Sequence, residues 1–91
     1  MFMTNTENRP VRPPRNDGES ITFTSESDGT PVTITRVEGQ NFTVSYPENP
    51  ANNMLLFEVF PGRFNLQAVA QGDFVPPIWR ELDWEILLEK L

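Results

Sequence analysis

One carboxylate stands where it could take part in catalysis. Glu58 lies within the apolar stretch MLLFEVF and has an apolar residue on either side of it along one strand face. Burial disfavours the charged form of a carboxyl group and so raises its pKa, and a carboxyl with a raised pKa can act as a general base. A glutamate in this position more commonly lies near a sheet edge or pairs with an arginine, here Arg36 or Arg63. Glu58 is therefore the one candidate for a small enzyme or ligand carrier.

The other groups that catalysis commonly uses are missing from the sequence. It contains no histidine and no cysteine, which removes the most frequent general base, thiolate nucleophiles and the usual transition-metal ligands. It has no GxSxG elbow, no phosphate-binding glycine cluster and no carboxylates at calcium-loop spacing. The sequence therefore predicts a protein that is not an enzyme, with no catalytic residue, no metal and no cofactor.

The net charge of −6 is unevenly distributed over the 91 residues. Residues 1–16 carry one acid and three arginines, a net +2, whereas residues 17–91 carry twelve acids and four bases, a net −8. Binding to nucleic acid depends largely on Lys and Arg neutralising phosphates. We therefore expect no direct nucleic-acid binding, and we expect a partner protein with a basic surface.

No segment of the sequence predicts a membrane or secretory destination. The opening MFMTNTENRP lacks the apolar region of a signal peptide. The longest strongly apolar run, residues 54–57, is far shorter than the roughly 20 residues of a membrane-spanning helix. The expectation is a cytoplasmic protein without membrane contact.

The first 18 residues are polar and proline-rich, which predicts a disordered tail ahead of one domain over residues 19–91. Within the tail, Pro10, Pro13 and Arg15 follow a PxxPxR spacing. In a polyproline II ligand, two such prolines dock on aromatic rings and the arginine meets an acidic pocket. The tail is thus either a solvated linker or a docking segment.

Apolar residues alternate with polar ones over most of the domain, which is typical of half-buried strands. Turn residues separate the alternating segments, including Asp28-Gly29, Glu38-Gly39 and a loop over residues 47–53. The alternating apolar positions are Ile21 and Phe23; Val32 and Ile34; Phe42, Val44 and Tyr46; and Phe64, Leu66, Ala68 and Ala70.

Residues 54–60 are apolar on both faces, which predicts a strand covered on both sides. Pro61-Gly62 favours a type II turn, whose twist suits a tight hairpin poorly, so a loop of three or more residues is expected there. A helix is predicted from Pro77 to Lys90. The fold class is therefore α+β: a mostly antiparallel meander of four or five strands packed with one C-terminal helix.

The predicted helix has two apolar faces, because Trp79 and Trp84 point about 140° apart at about 100° per residue. Either the sheet wraps both faces, or one face binds a partner chain. We assign Trp79, Leu82 and Ile86 to the sheet, although periodicity also permits the reverse. The predicted interface consists of Trp84, Leu87, Leu88 and Leu91.

Glu81, Glu85 and Glu89 form an acidic ridge beside these faces, spaced four residues apart on the predicted helix. Such a ridge is either a solvated face or the polar rim of the interface. The sequence therefore predicts a non-enzymatic binding module, acting as an adaptor, inhibitor or complex subunit, with homo-oligomerisation also allowed. The alternatives are a nucleic-acid mimic of the phage anti-defence type that inhibits a nucleic-acid-binding protein, and the enzyme or carrier that would use Glu58.

Overall fold

A computed structural model describes residues 10–69 and 78–91 of the chain, which form an antiparallel sheet and one α-helix. The sheet has six strands in sequential order, so each strand pairs with the next one along the chain. This confirms the α+β meander, with one strand more than predicted. The elements are β1 Ser20–Thr24, β2 Pro31–Glu38, β3 Asn41–Ser45, a short 3₁₀ helix Pro50–Asn52, β4 Met54–Phe60, β5 Arg63–Ala68, β6 Trp79–Leu82 and α1 Trp84–Lys90.

Glycines with positive φ close the tight hairpins, as the turn residues of the sequence predict. Gly39 ends the β2 strand with φ 61°, a conformation that residues with a Cβ rarely adopt. Just before it, Val37 has no partner in the register between Arg36–Phe42 and Glu38–Asn41. This extra residue is a β-bulge, which increases the local twist of the hairpin.

The core lies on one face of the sheet, beneath α1. Alternate residues of the strands point to this face and are buried, as the period of two predicts. The helix contributes its own buried side chains to the same cluster. The core residues are Phe23, Val32, Ile34, Phe42, Val44, Tyr46, Leu56, Phe64, Leu66, Trp84, Leu87, Leu88 and Leu91.

The turn between β4 and β5 is tighter than predicted. Pro61 and Gly62 alone connect the strands, because Phe60 already pairs with Arg63. Gly62 has φ 77°, which a type II turn requires at that position. Val59 is left without a partner in the register, and this bulge supplies twist that a type II turn lacks. The prediction of a longer loop was therefore wrong.

The prediction that β4 is covered on both sides holds for one side only. Leu56 faces the core and is fully buried, whereas Leu55 and Phe57 on the other face are half-buried. Val59 is 41% exposed on that same face. Within the described ranges α1 is the only α-helix, and it packs on the Leu56 side.

The predicted helix is a strand in its first half. Residues 79–82 form β6, in which Trp79 pairs with Leu66 and Leu82 with Phe64. The helix begins only after Asp83, whose extended backbone and side chain cap it by accepting a hydrogen bond from the Ile86 amide. Ala70 and Pro77, assigned by sequence to the last predicted strand and to the helix start, lie outside the described residues.

The Asp83 cap leads to a first prediction. Asp83→Ala is expected to lower the free energy of unfolding by about 1 kcal/mol, because an orphan amide of the first helical turn loses its acceptor. Glu89→Ala, which also removes a carboxylate but near the other end of α1, is the matched control and should change stability by less than about 0.5 kcal/mol. Urea unfolding of both variants measures the difference. Equal stability of the two would contradict the assigned helix start.

Candidate protein-binding surface

The predicted interface is buried, whereas of the residues predicted to pack on the sheet Leu82 packs against the core but Trp79 and Ile86 are exposed. Trp84, Leu87, Leu88 and Leu91 were assigned to a partner interface, yet all four are buried in the core. They recur at positions i, i+3, i+4 and i+7 from the first residue of α1 to its C-cap Leu91, a spacing that places them on one side of a helix. These four residues therefore offer no free surface in the folded monomer.

Hydroxyl groups fix the end of α1 against the sheet. The main-chain oxygen of Leu91 accepts hydrogen bonds from Ser25 Oγ at 2.6 Å, Ser27 Oγ at 2.9 Å and Tyr46 OH at 3.1 Å. Burial and the nearby Asp28 carboxylate raise the pKa of Tyr46 to about 12. At the other end of α1, the Trp84 ring packs on Phe64 with 5.6 Å between ring centroids.

The predicted acidic ridge is divided between two elements. Glu85 and Glu89 lie one turn apart on α1, both exposed, whereas Glu81 lies in β6. Glu81 has φ 52° and is the only non-glycine residue of the described ranges with positive φ. Together with Arg80 it lies opposite the single residue Asn65 in the register. This bulge redirects the chain, so the three carboxylates do not form one line.

Asn65 holds the bulge of β6 in place. Its side-chain oxygen accepts a hydrogen bond from the Glu81 amide at 2.9 Å. A non-glycine residue in the left-handed region costs about 1–3 kcal/mol and persists only where its surroundings fix it. The bulge also limits the pairing of β6 with any further strand, which is how native sheets protect their edges.

Apolar side chains are exposed where β6 meets α1. Ile78 is 52% exposed, Trp79 40% and Ile86 39%. Lys90 is near all three residues. Its ammonium lies 4.2 Å from the centroid of the Trp79 ring. It follows Ile86 by one helical turn, and it lines a cleft together with Ile78. We call Ile78, Trp79, Ile86 and Lys90 the Trp79 surface.

Sequence reasoning missed this surface because it placed Trp79 and Ile86 against the sheet. Trp79 pairs with Leu66 and so lies on the core side of the sheet, but β6 is the last strand and Trp79 remains 40% exposed there. Asp83 was the available signal, since Asp directly before an apolar helical pattern marks a helix start. A helix that starts there leaves residues 79–82 to another element.

Two open clefts lie at the ends of the core. One, of about 300 Å³, lies beside the Trp79 surface and is lined by Ser27, Asp28, Tyr46, Ala51, Asn52, Asn53, Met54, Ala68, Ile78, Lys90 and Leu91. The other, of about 310 Å³, is lined by residues 10–16 with Glu19 and Ile21. Neither of these two clefts includes Glu58.

Glu58 has a structural contact that accounts for its presence in an apolar strand. Its carboxylate accepts a hydrogen bond from the Gly62 amide at 2.9 Å, and its own amide donates to the Gln40 oxygen at 3.0 Å. The side chain is half-buried at the end of β4. Glu58 therefore fastens the β4–β5 turn. Of the two arginines expected to pair with it, Arg36 lies over the Phe42 ring at 4.5 Å.

The second half of the predicted tail lies against the domain. Residues 1–9 are outside the described residues, while residues 10–18 run without regular secondary structure from α1 to the start of β1. Trp84 Nε1 donates to the Pro10 oxygen at 3.0 Å, and Arg36 Nε donates to the Pro14 oxygen at 2.8 Å. Of the PxxPxR residues, Pro10 and Pro13 are half-buried and Arg15 is exposed.

Comparison with protein-family models, with curated proteins and with solved structures finds no match for the chain. Among the residues that the structure describes, no helix has the length and apolar composition needed to cross a membrane. In those same ranges, no three acidic, cysteine or histidine side chains are grouped so that they could hold a metal ion.

Proposed function

We propose that this chain is a non-enzymatic protein-binding module, acting as an adaptor, inhibitor or complex subunit, and that it binds its partner through the Trp79 surface. The observation that carries the proposal is the exposure of Trp79 in the last strand of the sheet, together with the exposure of Ile78 just before that strand and of Ile86 on α1. Tryptophan is enriched among the residues that dominate binding energy. Grouped apolar exposure of this kind marks interaction sites, in contrast to the single apolar residues that any surface carries.

Charge supports a basic partner over a second copy of the chain. Four carboxylates lie in the same part of the chain as the exposed apolar side chains: Glu81 in β6, Asp83 between β6 and α1, and Glu85 and Glu89 in α1. The chain carries −6 overall. Opposite potentials across an interface speed association, whereas like charges facing each other cost several kcal/mol. Two copies would repel each other, while a partner with Lys and Arg around an apolar contact would be attracted.

The experiment compares two exposed aromatic residues on the same chain. Trp79→Ala should weaken capture of a basic partner at least about 30-fold, the effect of losing an interface hot spot. Phe60→Ala is the matched control, because Phe60 is 57% exposed at the far end of β4, and it should leave capture unchanged. Added salt should slow association with the wild type.

Each outcome of the capture experiment bears on the proposal. Capture that is lost with Phe60→Ala and retained with Trp79→Ala would place the interface elsewhere and refute the proposed surface. If light scattering shows that the wild type is a dimer and Trp79→Ala a monomer, the Trp79 surface binds a second copy of the chain and not a basic partner. Circular dichroism of both variants confirms that the fold is intact.

A further inference from the structure

The Pro10–Arg15 segment is held to the domain mainly at its two ends. At one end the Trp84 indole donates to the Pro10 oxygen, and at the other Arg36 Nε donates to the Pro14 oxygen. Pro14 is the one fully buried side chain of the segment, and Val11 between the ends is 86% exposed. The Arg15 amide also donates to the Glu19 carboxylate at 2.8 Å. Three hydrogen bonds and one buried proline are a weak attachment, because the ordered backbone of the segment offsets much of what they contribute.

Arg36 is already held in place for its contact with the segment. Its guanidinium lies over the Phe42 ring and also donates to the Gly39 oxygen. Its backbone pairs with the chain that follows the segment: the Gly18 amide donates to the Arg36 oxygen, and the Arg36 amide donates to the Glu19 oxygen. The domain therefore presents two fixed donors, the Trp84 indole and Arg36 Nε, to the carbonyl groups of a proline-rich chain.

The attached form hides the PxxPxR motif. A polyproline II ligand has three residues per turn, so Pro10 and Pro13 must project from the same side of a straight segment. In the structure the chain bends at Val11 and Arg12, and both prolines are half-buried. A domain that binds polyproline II through an aromatic groove cannot receive this conformation, so the segment must first leave Trp84.

We propose that residues 10–15 are the ligand of a polyproline-binding domain with an aromatic groove and an acidic pocket, and that their attachment to Trp84 and Arg36 competes with that partner. Pro10 and Pro13 would enter the groove and Arg15 the acidic pocket. The free protein then divides between an attached form and a released form, and only the released form binds. The apparent association constant of the full chain is therefore that of the released segment multiplied by the fraction of molecules in the released form. This site is independent of the Trp79 surface.

The test uses a panel of purified SH3 domains that carry an acidic pocket, with binding measured by calorimetry. A peptide of residues 8–17 cannot attach to Trp84, so it should bind about three- to tenfold more tightly than the full chain, the range that one net hydrogen bond supplies. Trp84→Phe removes the indole donor and should bring the full chain towards the affinity of the peptide. Arg15→Ala should abolish binding of both.

A matched core variant separates release of the segment from general destabilisation. Phe23→Leu also shrinks a buried aromatic residue. Because the Phe23 ring cannot donate a hydrogen bond to the segment, this variant should bind the SH3 domains with the affinity of the wild-type chain. Equal affinities of the peptide and the wild-type chain would refute the competition. Failure of every domain in the panel to bind the peptide in an Arg15-dependent way would refute the motif as a ligand. If Phe23→Leu and Trp84→Phe strengthen SH3 binding to the same degree, general destabilisation explains the effect, and the proposal is refuted.

Discussion

Leu87→Ala is expected to lower the free energy of unfolding by about 2–5 kcal/mol, because it removes a fully buried side chain and leaves a cavity beneath α1. A domain of this size has a total stability of about 5–15 kcal/mol, so the loss is a large part of the whole. Urea unfolding followed by tryptophan fluorescence measures it. The variant should be less stable at every temperature at which the wild type is folded.

Ile86→Ala is the matched control for Leu87→Ala, because it shortens the neighbouring aliphatic side chain of the same helix. Ile86 is 39% exposed, so its truncation removes less buried surface and should cost less than about 1 kcal/mol. The helix faces predicted from sequence require the opposite order of the two variants. A greater loss for Ile86→Ala would show that Ile86, and not Leu87, lies on the buried face of α1.

The sheet could be predicted from sequence because its signals are local. Strands β1, β2, β3 and β5 alternate with a period of two. Gly29, Gly39 and Gly62, all with positive φ, stand at the β1–β2, β2–β3 and β4–β5 turns. Neighbouring strands of a meander also contact each other, so sequence order gives the strand order directly. The bulges at Val37 and Val59 lay beyond this reasoning, since nothing in a single strand specifies the register of its pairing.

The helix start could not be read from periodicity alone. A 14-residue stretch that is apolar on two sides fits a helix buried all round, and it equally fits a short strand followed by a one-sided helix. The structure has the second arrangement, divided at Asp83. Both tryptophans then point to the core side of the sheet, one from β6 and one from α1. The angle of about 140° between the two tryptophans applied only to the continuous helix that the sequence predicted.

The candidate surface depends on contacts between residues far apart in sequence. Whether a tryptophan is buried or exposed depends on how far the helix extends over the last strand, which no local pattern contains. The same holds for the proline-rich segment: its motif is visible in sequence, but its bond to Trp84 joins residues 74 positions apart. Composition predicts a polar segment ahead of the domain, but it could not indicate the contacts that residues 10–18 make with the domain.

Tyr46 should titrate with a pKa of about 12 in the folded protein, compared with about 10 in the unfolded chain. Its ring is buried in the core and its hydroxyl donates to the Leu91 oxygen, so removal of the proton would place a negative charge beside an acceptor. The Asp28 carboxylate opposes that charge further. Because Tyr46 is the single tyrosine of the chain, tyrosinate absorbance measured against pH reports this group alone.

The raised pKa also fixes how stability depends on pH. Between about pH 10 and pH 12 the unfolded chain has lost the tyrosine proton while the folded chain keeps it, so rising pH favours unfolding. The stabilisation is complete below about pH 10 and is lost as the pH rises through 12. A shift of two units corresponds to about 2.7 kcal/mol; because the hydroxyl borders an open cleft, the expected loss is about 1–2 kcal/mol.

Tyr46→Phe is the control that isolates this loss from the titration of lysine and arginine in the same range. The difference in unfolding free energy between wild type and variant should shrink as pH rises from 10 to 12, since only the wild type carries the ionising phenol. The wild type in concentrated urea should titrate near its ordinary value of about 10. A folded-state midpoint near 10 would mean that the hydroxyl reaches solvent freely, and the hydrogen bond that joins Tyr46 to the end of α1 could not then be a lasting contact.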